Sequence, residues 1–302
     1  MGDGTFRSDI RSIMYSYGDC RRPLDQSVAL VEAIVYGQLS HVIQQASALI
    51  GQNPDVDACH IILQLRRHKP LIRRLAHYLR AKDGAGSVRS LSTEADDELA
   101  DSAVGDAQLK ESARVKMLRD VLETVDVTGE LTALLDLDEV EPTKRKRLER
   151  MAETAAQLDA AEYARFTEAR QTSFCHFKGA LKSNSVKKFK LWLVGPESAN
   201  PGLILTNSAV EILNFLAIES VATVMDVALA VKTESGPGHH PQPQTNAKSL
   251  LEQKLRQRQP ATANTEIGLD CVQRLAVQPW HIQEAQRRLT LACNGPAFLA
   301  AP

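Results

Sequence analysis

Apolar residues recur at helical spacing along most of the chain and divide it into segments. In FRSDIRSIMYSYGD, Phe6, Ile10, Ile13, Met14 and Tyr17 share one face of a short helix; Gly18 and Asp19 stop it, and Pro23 follows in a loop. In DQSVALVEAIVYGQLSHVIQQASALIG, Val28, Val31, Val35, Val42, Ala46 and Leu49 form a stripe, and Leu30, Ile34, Leu39, Ile43 and Ile50 widen it. Asp25 is the expected N-cap of this helix and Gly51 its C-terminal stop. Such a helix is roughly 38 Å long, and an apolar surface this wide predicts packing from two sides. NPDVDA then makes a loop, CHIILQLRR a short third helix, and KPLIRRLAHYLRAK a fourth that opens at Pro70.

The small, polar and acidic run over 83–108 predicts a flexible linker, placed at 86–109 between the flanking helices. Helical periodicity returns from about 110 to 170. The basic run Lys144 to Arg147 opens the last of these helices and is expected to form a solvated face. The aromatic and basic SFCHFKGALKSNSVKKFKLWL follows, then a turn at 199–202 and a second long apolar helix in TNSAVEILNFLAIESVATVMDVALAVKTE. A Pro, Gly and Gln-rich stretch, about 234–265, is expected to be a mobile insertion, and QPWHIQEAQRRL closes the pattern with Pro279 in its first turn.

Two stretches repeat. HIILQLRR begins at His60 and HIQEAQRR at His281, and each follows a long apolar helix and a loop, so the halves read as a diverged duplication. A short-long-short helical unit cannot bury both sides of its central helix alone. Two units crossing their long helices would close one core, which is the arrangement of a histone-fold pair.

Composition narrows the function. Lys plus Arg total 36 against 37 Asp plus Glu, a net charge of -1, so there is no general attraction to nucleic acid or to an acidic membrane surface. The five cysteines are scattered and never spaced as a CxxC pair, which argues for a reducing compartment without a disulfide framework or zinc site. The N-terminus lacks the basic and apolar runs of a signal peptide. Residues 203–231 are long enough to span a bilayer, but Glu211, Glu219 and Asp226 interrupt them, which favours a long buried helix over a membrane span. No GxSxG, P-loop, GxGxxG or HExxH occurs, so no enzymatic site and no cofactor is expected.

FRSDIRSIMYSYGDCRRPLDQSVALVEAIVYGQL resembles the N-terminal histone fold of the SPT-three (suppressor of Ty three) transcription initiation proteins. The shorter histone-fold subunit of TFIID shares the MY-x-x-GD run. The two are separated by LRDVLETVDVTGELTALLD with KRLERMAETAAQLDAAEYARFTEARQTSFCHFKGALK, and by EILNFLAIESVATVMDVALAV with VQPWHIQEAQRRL; these resemble the middle region and second fold that the short TFIID subunit lacks. The resemblance implies an all-α chain with two histone folds paired within one molecule. It divides the chain into a first fold over 1–85 with an extra helix, the linker, a helical and basic middle region over 110–200, and a second fold over 201–302. It further implies a nuclear, non-enzymatic subunit of the SAGA coactivator complex that meets other SAGA-type subunits and contacts TATA-binding protein. A histone-fold subunit of a TFIID-like complex and a DNA-binding histone-fold module are the alternatives.

The chain departs from the histone-fold pattern at the start of each third helix, where an Asp usually pairs with a loop Arg and His60 and His281 stand instead. Neither histidine has a second ligand at helical spacing, so a structural role at a helix start is expected rather than a metal. Asp55 or Asp57 is then the candidate partner of Arg66 or Arg67. Glu211, Glu219 and Asp226 fall within about 80° of one another on the second long helix, flanked by Asn214 and Thr223. This stripe is either a solvent face or an acidic surface for a basic partner such as TATA-binding protein. Up to residue 85 there are eleven Lys or Arg against eight Asp or Glu, weak for a DNA-wrapping surface. Arg21, Arg22, Arg66, Arg67, Lys187 and Lys188 are the candidates for local phosphate contact.

Overall fold

The computed structural model describes residues 6–50, 55–93, 113–137, 139–177, 182–195, 203–235 and 276–293, with side chains described to residue 82 in the second of these segments. Helix α1 (Arg7–Ser16) buries Ile10, Ile13 and Met14. It stops where Gly18 turns to a φ of +110°, a conformation that a side chain makes costly. A Cβ there would also stand 3.1 Å from Leu229.

Helix α2 (Asp25–Ser47) follows, with Asp25 as its first helical residue rather than its N-cap. Leu24 takes the extended cap position, and the Asp25 carboxylate instead accepts from Arg11 of α1. The helix ends at Ser47, before Gly51, which lies outside the described residues. A two-residue strand β1 (Asp55–Val56) leads into α3 (Ala58–Leu65) and then α4 (Lys69–Thr93). The α4 backbone thus covers 86–93, where the linker was expected to begin; the rest of the linker lies outside the described residues.

The middle region holds α5 (Ala113–Glu123), α6 (Glu130–Ala133), α7 (Pro142–Ala156) and α8 (Ala160–Gln171). α5 packs on α3 and α4, and α8 on α1. Then come α9 (Lys182–Val194), β2 (Ile204–Leu205), α10 (Asn207–Ser235) and α11 (Pro279–Ala292). The expected insertion lies outside the described residues except at 234 and 235, which end α10.

α2 and α10 pack against each other, α1 meets α2 and α10, and α9 likewise meets α10 and α2. Helix α9 therefore stands to α10 as α1 stands to α2. The second short-long-short unit accordingly takes its first helix from 182–194, a stretch expected in the middle region. The sequence pattern hides this because the α9 aromatics are buried against the other end of the chain. Phe6 lies 5.7 Å from Phe189 and 5.1 Å from Trp192, ring centre to ring centre.

The halves join at both ends of the crossed long helices. At one end β1 pairs in parallel with β2, Asp55 opposite Ile204 and Val56 opposite Leu205. At the other, Val277 donates its backbone N–H to Asp19 at 2.8 Å and accepts from the Ser27 hydroxyl at 2.7 Å. Buried residues of both units and of α5 form one continuous hydrophobic cluster. The helical architecture is the one the all-α resemblance implies.

Candidate functional site

Helix α10 is long and apolar enough to cross a bilayer, yet 72% of its most apolar window is buried within the protein. Its one polar stripe faces the middle region. The Glu211 carboxylate accepts from Arg114 of α5 at 3.1 Å. One turn on, the Asn214 side-chain oxygen accepts from the Ser173 hydroxyl and the Cys175 N–H, both at 3.0 Å, while its amide donates to the Tyr78 hydroxyl at 3.4 Å. Glu219 accepts from Arg74 of α4 at 3.0 Å and from Arg147 of α7 at 2.9 Å. Asp226 accepts from Arg147 at 2.6 Å and from Arg150 at 2.5 Å.

Arg74 also reaches Glu141 at 3.0 Å, and Glu141 caps α7 by accepting the Lys144 N–H at 3.0 Å. One guanidinium on α4 therefore binds both the start of α7 and the middle of α10.

The centre of this network is dry. The side chains of Arg147 and Glu219 are 5% and 10% exposed, so the pair is a buried ion pair rather than a screened surface contact. Burial alone would lower the Arg147 pKa, but the Glu219 and Asp226 carboxylates outweigh it and raise the value, keeping the guanidinium charged. The Tyr17 ring lies 5.7 Å from the same guanidinium, and burial, helped by Glu219, pushes its phenol up to about 12.

Two expectations are corrected here. Glu211, Glu219 and Asp226 are neither a solvent face nor an open acidic surface, because arginines of the same chain occupy them. The run Lys144 to Arg147 is not wholly a solvated face either: Arg147 is buried at 4% exposure, while Arg145 and Lys146 remain outside. The physical reason is shared. An acid on an apolar helix and a cation on a distant polar helix each look solvated alone, and burial becomes favourable only when they meet.

Sequence reasoning missed Arg74, Arg114 and Arg150 as partners. The available signal was the opposite sign of two stripes: Arg147 and Arg150 lie one turn apart on α7, within reach of acids two turns apart on α10.

His60 and His281 hold the same position in α3 and α11. The His60 Nδ1 accepts the backbone N–H of Asp57 at 3.0 Å, and the His281 Nδ1 accepts that of Gln278 at 2.8 Å. Each ring does what a Glu or Gln does at the third position of a capping box. Asp57 does not clamp Arg66 or Arg67. Its carboxylate accepts from the Thr206 hydroxyl at 2.7 Å and from the Ser208 hydroxyl, so it holds the other half of the protein. Arg66 instead donates to the Leu63 carbonyl at 2.7 Å.

The phosphate candidates lie on three separate elements. Arg21 and Arg22 are exposed in the loop after α1, Arg66 and Arg67 are exposed after α3, and Lys187 and Lys188 are exposed on α9. The Lys188 ammonium sits 4.4 Å from the centre of the Phe6 ring. Among the described residues no group of three His, Cys, Asp or Glu side chains gathers as a metal site.

Comparison with known proteins places this architecture. Residues 4–90 match the family described as Transcription initiation factor IID, 18kD subunit, which accounts for the first unit. A SAGA complex subunit Spt3 from Schizosaccharomyces pombe is 30% identical over 264 residues, covering 78% of this chain and 80% of that protein. The Spt3 of Drosophila melanogaster is 28% identical over 76% of this chain, which spans only 53% of that relative's length. The Saccharomyces cerevisiae protein of the same name is 22% identical over 75% of this chain and 73% of its own. These alignments reach well past residue 90, as the resemblance in the middle and second units predicts.

Proposed function

The chain belongs to the SAGA complex subunit Spt3 family, and on that premise we propose that it is a nuclear, non-enzymatic subunit of a SAGA-type coactivator that binds TATA-binding protein and helps deliver it to promoters for RNA polymerase II. The observation that carries this reading is the match to SAGA complex subunits over most of the chain, and the contacts between the two halves at β1–β2 and at Asp19–Val277 support a pair closed within one molecule. Such a unit serves as a preformed adaptor, with its outer surfaces left to TATA-binding protein and to neighbouring SAGA-type subunits.

The stripe of Glu211, Glu219 and Asp226 enters this function by position rather than by touch. It ties α4, α5 and α7 to α10. The reading is tested with the full chain and purified TATA-binding protein in a pull-down, with plain duplex DNA in a parallel arm. Retention of the chain by TATA-binding protein is expected. Failure to bind it, together with steeply salt-dependent binding to the duplex, would replace this reading with the DNA-binding one.

A further inference from the structure

Helices α4 and α7 face each other across a cavity of about 310 Å³. On α4 the lining runs from Arg74 to Ala81 and on α7 from Lys144 to Met151, each at helical spacing, so each wall is about 10 Å, or two turns, long. Phe215 and Ile218 of α10 supply an apolar floor beside Glu219, and residues of α1 and α8, Arg170 among them, line the rest. Tyr78 and Met151 are half-buried beside it, and Leu148 is 44% exposed. This is a groove with apolar walls that the fold leaves partly uncovered.

Its charge is one-sided. Arg74 and Arg147 are neutralised by Glu141, Glu219 and Asp226. Lys144 and Arg170 also line the groove, and among the described residues neither has a carboxylate within ion-pair distance. Burial pulls the Lys144 pKa down, and Glu219 and Glu141 offset this only in part, so an incoming carboxylate at pairing distance would further relieve a cation partly stripped of water. A basic occupant would meet the same two cations as like charges.

We propose that this groove binds an acidic amphipathic peptide helix from another protein. Two apolar side chains one turn apart seat between Leu148 and Met151 on one wall and Tyr78 on the other, and carboxylates beside them pair with Lys144 and Arg170. Methionine in the wall suits a site that adapts to its occupant. The proposal is independent of the contact with TATA-binding protein, because its occupant carries the opposite charge.

The test is fluorescence anisotropy of the full chain with three labelled helical peptides of equal length. The first carries Leu at i, i+4 and i+7 with Glu elsewhere, the second replaces each Glu by Lys, and the third replaces each Leu by Ala. The first peptide is expected to bind at least tenfold more tightly than the others. Leu148→Glu should weaken it about tenfold and Lys144→Gln about threefold, with thermal melting unchanged because neither side chain belongs to the core. Failure of the acidic peptide to bind, equal binding of the acidic and basic peptides, or unchanged affinity in Leu148→Glu would each overturn the proposal.

Discussion

Arg147 of α7 donates to Glu219 of α10 at 2.9 Å across 72 residues of chain, with both side chains almost out of water. It is the most deeply buried of the ion pairs that fasten the middle region to α10. Arg147 also holds Asp226, and Glu219 also holds Arg74, so the pair sits within a chain of five ion pairs that runs from Glu141 to Arg150.

Removing one partner leaves the other charge buried. Glu219→Lys is expected to lower stability by about 3–5 kcal/mol. Arg147→Met should cost less when made together with Glu219→Gln than the two single losses added, because the double variant strands no charge at that contact. Urea denaturation of the four proteins measures this. Strict additivity would show that the two side chains are not coupled.

The capping histidines make a second prediction. His60→Ala and His281→Ala each remove the acceptor for a helix-start N–H and should cost roughly 1 kcal/mol. The loss should be larger at His281, which is 5% exposed and also leaves a cavity. Glu or Gln at either position offers an acceptor at the same place in the box, so His60→Gln should recover most of the His60→Ala loss. A His60→Gln variant no more stable than His60→Ala would mean that the ring acts by packing and not by accepting that hydrogen bond.

Asp19 gives the joint between the halves a pH dependence. Burial raises its carboxyl from 3.8 to about 6, although hydrogen bonds from the N–H groups of Val277 and Cys20 pull the other way. Between those two values the folded protein holds a proton that the unfolded chain has released. The stability this group contributes is therefore complete below about pH 4 and lost as the pH rises through about 6. Asn at this position keeps an acceptor for both N–H groups and does not titrate. Relative to Asp19→Asn, the natural protein should lose stability on going from pH 4 to pH 6 in chemical denaturation. Parallel profiles for the two proteins would remove Asp19 as the cause.

Much of the fold was legible because its signals are local. The stripes of α2 and α10 follow helical period, and Gly18 stands where the chain needs a positive φ. The paired His-Ile and Arg-Arg stretches marked α3 and α11 as equivalent. The packing of helix α9 was not legible because its burial depends on Phe6, far away in sequence, and its own lysines make it look like a surface segment. The acidic stripe was found, but its occupants were not. Arg114, Arg74 and Arg147 come from three different helices, and no periodicity in one helix reports the charge of another.

The two joints between the units have a consequence for assembly. Because one polypeptide carries both units, each meets the other at an effective concentration set by the tether and not by how much protein the cell contains. Dilution does not release a lone half with an uncovered long helix, and a foreign histone-fold chain must compete with a partner that never diffuses away. A pair closed in this way holds its two halves in one-to-one proportion through the chain itself.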